Sequence, residues 1–499
     1  MDTDKLPPHL GAAAAAFVCA EHTNFIGGAW KPARNGATLP VIDPGTGQEI
    51  ARIPASGIVD IDEAVLAARA ALESGPWARM TAPDRGKLIW KLAEQIEAHG
   101  EELAEIESLD TGRPIFECRI VDVPGSVQML QYMAGWAGKI NGETMQLGVP
   151  GTLHAYTVRE PVGVVAVIVP WNYPLELAVW RTAPALAAGC TVVIKPAENT
   201  SLSTLRLTQL VADAGFPPGV INVVTGLGET AGASLAAHPG VDAISFTGST
   251  ETGRAIVHAA AGNMKRVFLE LGGKSPAIVL ADADLDVTIP GVAGSIFFSS
   301  GQVCTAGSRL FVQESIFDQV IDGVASIAES LKIGHGLDPS TQLGPVVSEV
   351  QLDRVMGFLQ AGERDGVRYV TGGRRVGNEG YFVEPTIAVG TTPAMSLYRD
   401  EVFGPVLCAI PFKADDIEGA IQAANDTIYG LHASIWTQNL KAAHQMAGRI
   451  KSGNVCINTH NFFDPAFPMG GYKQSGWGRA SGFAAIEHYT EVKGIVARL

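Results

Sequence analysis

The stretch that decides the fold opens with Val162-Gly163-Val164-Val165-Ala166-Val167-Ile168-Val169 and closes on Leu269-Glu270-Leu271-Gly272-Gly273. Its first run is apolar without alternation, as expected of a strand covered on both faces. The spacing then predicts a helix over 175–188, a strand over 191–194, a helix over 203–214 and a strand over 220–224. A helix over 230–237, a strand over 243–246, a helix over 250–260 and a strand over 266–271 complete the series. Strands alternating with helices give a parallel sheet covered on both sides, and ligands of such sheets lie beyond the carboxyl ends of the strands. The informative residues are therefore those directly after each strand.

Outward from this block, Gly272-Gly273-Lys274-Ser275-Pro276 reads as a boundary. A second alternating block follows, with strands expected over 277–280, 310–312, 401–410 and 433–436. The first third reads as a short strand pair and then helices. Asp60-Ile61-Asp62-Glu63 resembles a capping box ahead of Ala64, Val65, Ala68 and Leu72. Thr81-Ala82-Pro83-Asp84 starts a second helix, and Asp110-Thr111-Gly112-Arg113-Pro114 stops the segment after it. The end of the chain, 492–497, has strand character.

Composition bounds the function. The chain has 499 residues, 46% hydrophobic and 17% charged, with a formal charge of −15 at pH 7. That excludes a disordered chain and makes nucleic acid a poor partner. The run 162–169 is too short to span a bilayer, which takes roughly 20 residues. The Ala-rich stretch 11–20 reads as a helix rather than a signal peptide, because the leader Met1–Leu6 carries two Asp against one Lys. The six cysteines, at 19, 118, 190, 304, 408 and 456, show no CxxC spacing. Neither a disulfide framework nor a metal site is expected, and a reducing cytoplasm fits best.

Pro170-Trp171-Asn172-Tyr173-Pro174 follows the first strand, and Lys195-Pro196-Ala197-Glu198 the second. Thr247-Gly248-Ser249-Thr250 follows the fourth, and Glu270 ends the fifth. Farther on lies Gly301-Gln302-Val303-Cys304-Thr305. Gly248-Ser249 at a helix start suits a phosphate, which free N–H groups and the helix dipole favour; taken alone it is more often an ordinary turn with a Ser cap. Lys195 and Glu198 suit ribose hydroxyls, or are a solvated pair. A lone Cys304 is more often a small buried hydrophobe, Glu270 an exposed strand-end carboxylate and Asn172 a turn former. No Rossmann GxGxxG and no GxxxxGK[ST] are present, which disfavours ATP.

Together these segments, with Glu401-Val402-Phe403-Gly404-Pro405 and Phe467-Pro468-Met469-Gly470-Gly471, resemble the NAD(P)-dependent aldehyde dehydrogenase superfamily. The likeness runs from about Phe25 to the C-terminus. It implies an α/β fold: a Rossmann-type parallel-sheet nucleotide-binding domain (1–139 and 161–270), an α/β catalytic domain (271–475) and a β-strand oligomerisation arm (140–160 and 488–499). It also implies that Cys304 is the nucleophile, that Asn172 and the Cys304 N–H hold the alkoxide, and that Glu270 is the base for water. Trp171, Lys195, Glu198, Gly228, Gly248, Ser249, Glu401 and Phe403 match cofactor positions. Tyr173, Leu177, Trp180, Phe298, Phe463 and Met469 match substrate-pocket positions.

The resemblance implies NAD as cofactor with NADP as the weaker alternative, no metal, a small aldehyde as substrate, and a homodimer or a dimer of dimers. The segments 138–144 and 156–165 look similar to phenylacetaldehyde-oxidising members, so a bulky aromatic aldehyde is expected. Betaine-type or aliphatic aldehydes are the alternative. A catalytically inactive binding protein on the same fold is a different reading, which the presence of Cys304, Glu270 and Asn172 disfavours. A coenzyme A-acylating relative would generally lack the base that Glu270 supplies.

Overall fold

The computed structural model describes residues 6–499. The leader reading falls mainly on residues 1–5 and so lies outside the described residues. Ala12–Cys19 is a helix, as expected of the Ala-rich stretch.

The alternating block forms the centre of an eight-stranded sheet. Its order is Gly476–Trp477, Arg266–Glu270, Ala243–Thr247, Val164–Ile168, Thr191–Lys195, Ile221–Val223, Asn24–Ile26 and Ala29–Lys31. The five strands of the block are parallel, and the outer ones join antiparallel. Every residue of Val164–Ile168, Thr191–Lys195 and Ala243–Thr247 is buried, which is why Val164–Ile168 reads as a continuous apolar run. The chain builds outward from Val164–Ile168 on one side, then returns to add Ala243–Thr247 on the other. The order therefore reverses between these two strands, and a crevice opens beyond their carboxyl ends. Trp171-Asn172 and Gly248-Ser249 stand at that crevice.

A second, seven-stranded sheet has the order Arg368–Thr371, Thr386–Val389, Val406–Phe412, Arg309–Gln313, Pro276–Val279, His432–Trp436 and Asn454–Ile457. All its pairings are parallel except the first. A three-stranded sheet joins Thr490–Arg498, Leu153–Pro161 and Thr144–Met145. Its long pair runs antiparallel from Thr490 opposite Pro161 to Arg498 opposite Leu153. Thr490–Arg498 is an edge strand there, with Val492 and Val496 exposed.

Three expectations need correction. The helix placed after Asp60 starts at Ile58: Asp60 sits inside its first turn, accepts the Gly57 N–H at 3.0 Å, and takes the Arg34 N–H on its other oxygen at 2.9 Å. Ile58 and Val59 are exposed, so the apolar pattern passed over them. The strand expected over 401–410 begins only at Val406. Pro405 has no N–H for a ladder, and Phe403 has a left-handed φ of 59°, so Glu401–Pro405 is a loop. The helix expected over 230–237 is a five-residue helix, Ala233–Ala237, behind a wider turn, Gly228–Gly232.

Candidate active site

Cys304 follows the helix Leu285–Phe297 and a tight turn, Phe298–Gly301. Ser299, Ser300 and Gly301 are all left-handed, at φ 53°, 52° and 71°. For the two serines that conformation costs on the order of 1–3 kcal/mol each and must be held by the surroundings. The Ser299 N–H donates to Glu117 at 3.0 Å and the Ser300 hydroxyl to the Gly344 carbonyl at 2.7 Å. Gln302 accepts the Val347 N–H at 2.9 Å and donates to the Ser299 carbonyl at 3.2 Å. Its own carbonyl accepts the Asn172 amide at 2.8 Å. Asn172 Nδ2 thus spends one hydrogen on the Cys304 loop and keeps the other.

Glycines let these segments close on one another. A Cβ on Gly273 would lie 2.2 Å from the Cys304 carbonyl oxygen, and one on Gly272 would lie 2.4 Å from a Glu401 carboxylate oxygen. A Cβ on Gly301 would lie 2.1 Å from the Gly404 carbonyl oxygen. Side chains there would push the Glu270 strand, the Cys304 loop and the Glu401 loop apart. Glu401 accepts the Gly273 N–H at 2.8 Å. Gln351 and Arg354 hold the Glu401–Phe403 loop through its carbonyls, at 2.8 Å and 2.7 Å.

A cavity of about 610 Å³ is bordered by Cys304, Glu270 and Asn172. Trp171, Gly248, Ser249, Glu401 and Phe403 border it as well, and so do Tyr173, Leu177, Trp180, Phe298, Phe463 and Met469. Trp171 and Phe403 meet edge to face with ring centres 5.2 Å apart, and Trp180 and Phe463 do so at 6.4 Å. Lys195, Glu198 and Gly228 do not border this cavity. Lys195 ends the neighbouring strand, with its side chain 3% exposed, and pairs at 2.8 Å with Glu198, which is 34% exposed. Gly228 lies on an exposed turn.

Burial sets the electrostatics. Glu270 is 3% exposed, and neither of its carboxylate oxygens has a hydrogen-bond partner among the described residues. Desolvation pushes its carboxyl up to about 7, against the opposing pull of Arg181 and Arg479. Desolvation also raises Glu401 to about 7 and the Cys304 thiol to about 12, the latter helped by the charges of Glu270 and Glu401. Among the described residues no cluster of three His, Cys, Asp or Glu side chains suits a metal ion.

Sequence reasoning missed Glu176 and Arg181, which both border the cavity. They are the two charged residues of the helix Pro174–Ala188, and that isolation in an apolar helix was the available signal. Arg181 donates to the Thr247 hydroxyl at 3.1 Å. His460, held at 2.8 Å to Ser434 and at 2.9 Å to the Thr305 carbonyl, was also missed. Burial lowers it to about 4, so it is a neutral brace for the Cys304 loop.

An open helix N-terminus, a desolvated carboxylate and an accessible thiol at the switch point of a parallel sheet define a nucleotide-dependent site acting on a small carbonyl compound. Residues 30–495 match the family model for the aldehyde dehydrogenase family. Phenylacetaldehyde dehydrogenase of Pseudomonas fluorescens is 47% identical over 481 residues, 95% of each chain. The NAD+ complex of an aldehyde dehydrogenase from Bacillus cereus superposes with a TM-score of 0.96 at 44% identity, covering 98% of this chain and 99% of that one. The NAD+ complex of a betaine aldehyde dehydrogenase from Staphylococcus aureus gives 0.94 at 37% identity, covering 98% and 97%. The chain belongs to the aldehyde dehydrogenase family.

Proposed function

We propose that the chain oxidises a bulky, largely apolar aldehyde, arylacetaldehydes foremost, to the carboxylic acid, with NAD as the hydride acceptor. The observation that carries this reading is the shared cavity, which sets Cys304, Glu270 and Asn172 against Tyr173, Leu177, Trp180, Phe298, Phe463 and Met469. Rings and a thioether supply apolar area for an aryl or long alkyl group. The 47% identity to a phenylacetaldehyde dehydrogenase supports the same choice.

The residues fit a dinucleotide. Ser249 caps the helix Thr250–Ala260 and is exposed, and the first-turn N–H groups of that helix suit a pyrophosphate. The Lys195–Glu198 pair suits the adenosine ribose. Glu401, with Trp171 and Phe403 beside it, suits the nicotinamide end. When bound, NAD would supply the hydride acceptor.

The chain's own residues do the rest. The Cys304 thiolate forms a C–S bond to the carbonyl carbon, and the free Asn172 N–H and the Cys304 N–H hold the alkoxide. After oxidation a thioester remains on Cys304. Glu270 removes a proton from water, the water oxygen adds to the acyl carbon, and the C–S bond breaks to return the thiolate and the acid.

We further place the division of the chain at 1–139 with 161–270, 271–475, and 140–160 with 488–499. The open edge of Thr490–Arg498 supports a homodimer or a dimer of dimers in which this edge meets a neighbour's sheet. Six free cysteines support a reducing, cytoplasmic setting.

A panel of aldehydes assayed with NAD and with NADP tests the reading. Phenylacetaldehyde is expected to exceed glycolaldehyde in kcat/KM; the reverse order overturns the bulky-substrate assignment. NAD is expected to exceed NADP, because a 2′-phosphate would meet the Glu198 carboxylate as like charge. Glu198→Gln is expected to raise kcat/KM with NADP about tenfold relative to NAD, a change in the specificity ratio of about 1.4 kcal/mol. An unchanged cofactor ratio in that variant would remove Glu198 from the ribose site.

A further inference from the structure

Resting on the substrate reading above, we infer that Glu176 is a specificity-determining residue whose carboxyl recognises a hydroxyl group at the end of the substrate remote from its aldehyde. Glu176 borders the cavity and stands in the first turn of the helix Pro174–Ala188, on the same face as Trp180. A glutamate there ordinarily serves the free N–H groups of the helix start. Here Glu107 does so instead, accepting the Leu175 N–H at 3.2 Å. Glu176 has no hydrogen-bond or ion-pair partner among the described residues.

Its carboxyl lies against the backbone of Gly125, where a Cβ would come within 2.2 Å of Oε1. A glycine at 125 leaves room for the group. Trp180 flanks it, with its indole N–H directed to the Gly125 carbonyl at 3.3 Å. Glu176 thus belongs to the wall that Gly125 and Trp180 build.

The chemistry of the missing partner follows from the surroundings. Arg113 is already engaged by Asp122 at 2.7 Å and by Glu117 at 3.4 Å, and its guanidinium stacks on the Tyr173 ring at 3.9 Å. Arg113 is therefore not free to answer Glu176, and burial together with the Asp122 charge pushes its carboxyl up, toward the neutral form. A neutral carboxyl both donates and accepts, and a phenolic or alcoholic hydroxyl answers both. An ammonium would require a second charge to be desolvated in an aromatic-walled cavity. A substrate lacking a hydroxyl would leave the half-buried carboxyl unpaired, which penalises that substrate.

The test compares phenylacetaldehyde with 4-hydroxyphenylacetaldehyde, and hexanal with 6-hydroxyhexanal, in the wild type, Glu176→Leu and Glu176→Gln. The wild type is expected to favour the hydroxylated member of each pair by about tenfold or more in kcat/KM. Glu176→Leu should abolish or invert that ratio, and Glu176→Gln should retain most of it. Because each ratio is read within one enzyme preparation, reduced folding of a variant cancels. A ratio in Glu176→Leu within twofold of the wild-type value for both pairs overturns the inference. So does a preference for 3-aminopropanal over propanal that Glu176→Leu removes while leaving the hydroxyl ratios intact. If the aliphatic pair is used better than the aromatic pair yet shows the expected change, the arylacetaldehyde reading fails and the role of Glu176 stands.

Discussion

Cys304→Ala is expected to abolish NADH formation and acid release together, by on the order of 10⁵-fold or more in kcat. Five other cysteines offer no substitute. Cys118, Cys190, Cys408 and Cys456 are buried and Cys19 lies on the N-terminal helix, and none of the five borders the cavity. The alanine variant removes only a sulfur from a loop whose shape is set by Gln302, Ser299 and Ser300, so cofactor binding should survive. Steady-state NADH absorbance with phenylacetaldehyde, and titration of NAD by fluorescence quenching, check the two halves of this expectation. Residual turnover above about 1% of wild type would show that the covalent step does not run through Cys304.

Glu270→Gln is expected to slow acid release by about 10²- to 10⁴-fold, the range for loss of a general base. The amide keeps the shape of the side chain but cannot take a proton. NADH should then appear as a burst of at most one equivalent per active site, followed by a slow steady state, with acyl-enzyme accumulating on Cys304. Mass spectrometry of the quenched reaction reads the adduct directly. Because desolvation lifts the Glu270 carboxyl to about 7, the wild-type deacylation rate should rise with pH through about 7, as the carboxylate form becomes populated. In Glu270→Gln that inflection should disappear. A slowed burst would show that Glu270 also accepts the Cys304 proton, a role consistent with a thiol raised to about 12 beside it. Wild-type turnover with no adduct would exclude Glu270 as the deacylation base.

The geometry gives these two residues their division of labour. They are carried by different elements, the end of the strand Arg266–Glu270 and the loop before the strand Arg309–Gln313. Gly272 and Gly273 let the strand end approach the Glu401 and Cys304 loops closely. The carboxyl of Glu270 has no partner in this arrangement, which costs stability and leaves it free for water.

The sequence by itself determined the parallel core and the place of the chemistry. Val164–Ile168, Thr191–Lys195 and Ala243–Thr247 are buried on both faces; the first was legible as an apolar run and the others from their alternation with helices, without any tertiary information. A parallel sheet then required that Asn172, Ser249 and Glu270, each just past or at a strand end, face one crevice. Turn chemistry around Gly112 and the Thr81 cap were legible for the same reason: they depend on neighbours along the chain.

Only the tertiary structure decided which of the many carboxylates lose their water. Glu107, Glu176, Glu270 and Glu401 look alike in sequence. In the fold, Glu107 serves a helix start, Glu401 takes the Gly273 N–H, and Glu270 and Glu176 are left unpaired in the lining of one cavity. Likewise the segment Glu401–Pro405, strand-like by composition, became a loop because Pro405 cannot pair and Gln351 and Arg354 hold its carbonyls from another element. Periodicity reports how a residue sits on its own helix or strand. Desolvation, and hence basicity and recognition, depends on what long-range packing brings against that residue, and local pattern carries no record of it.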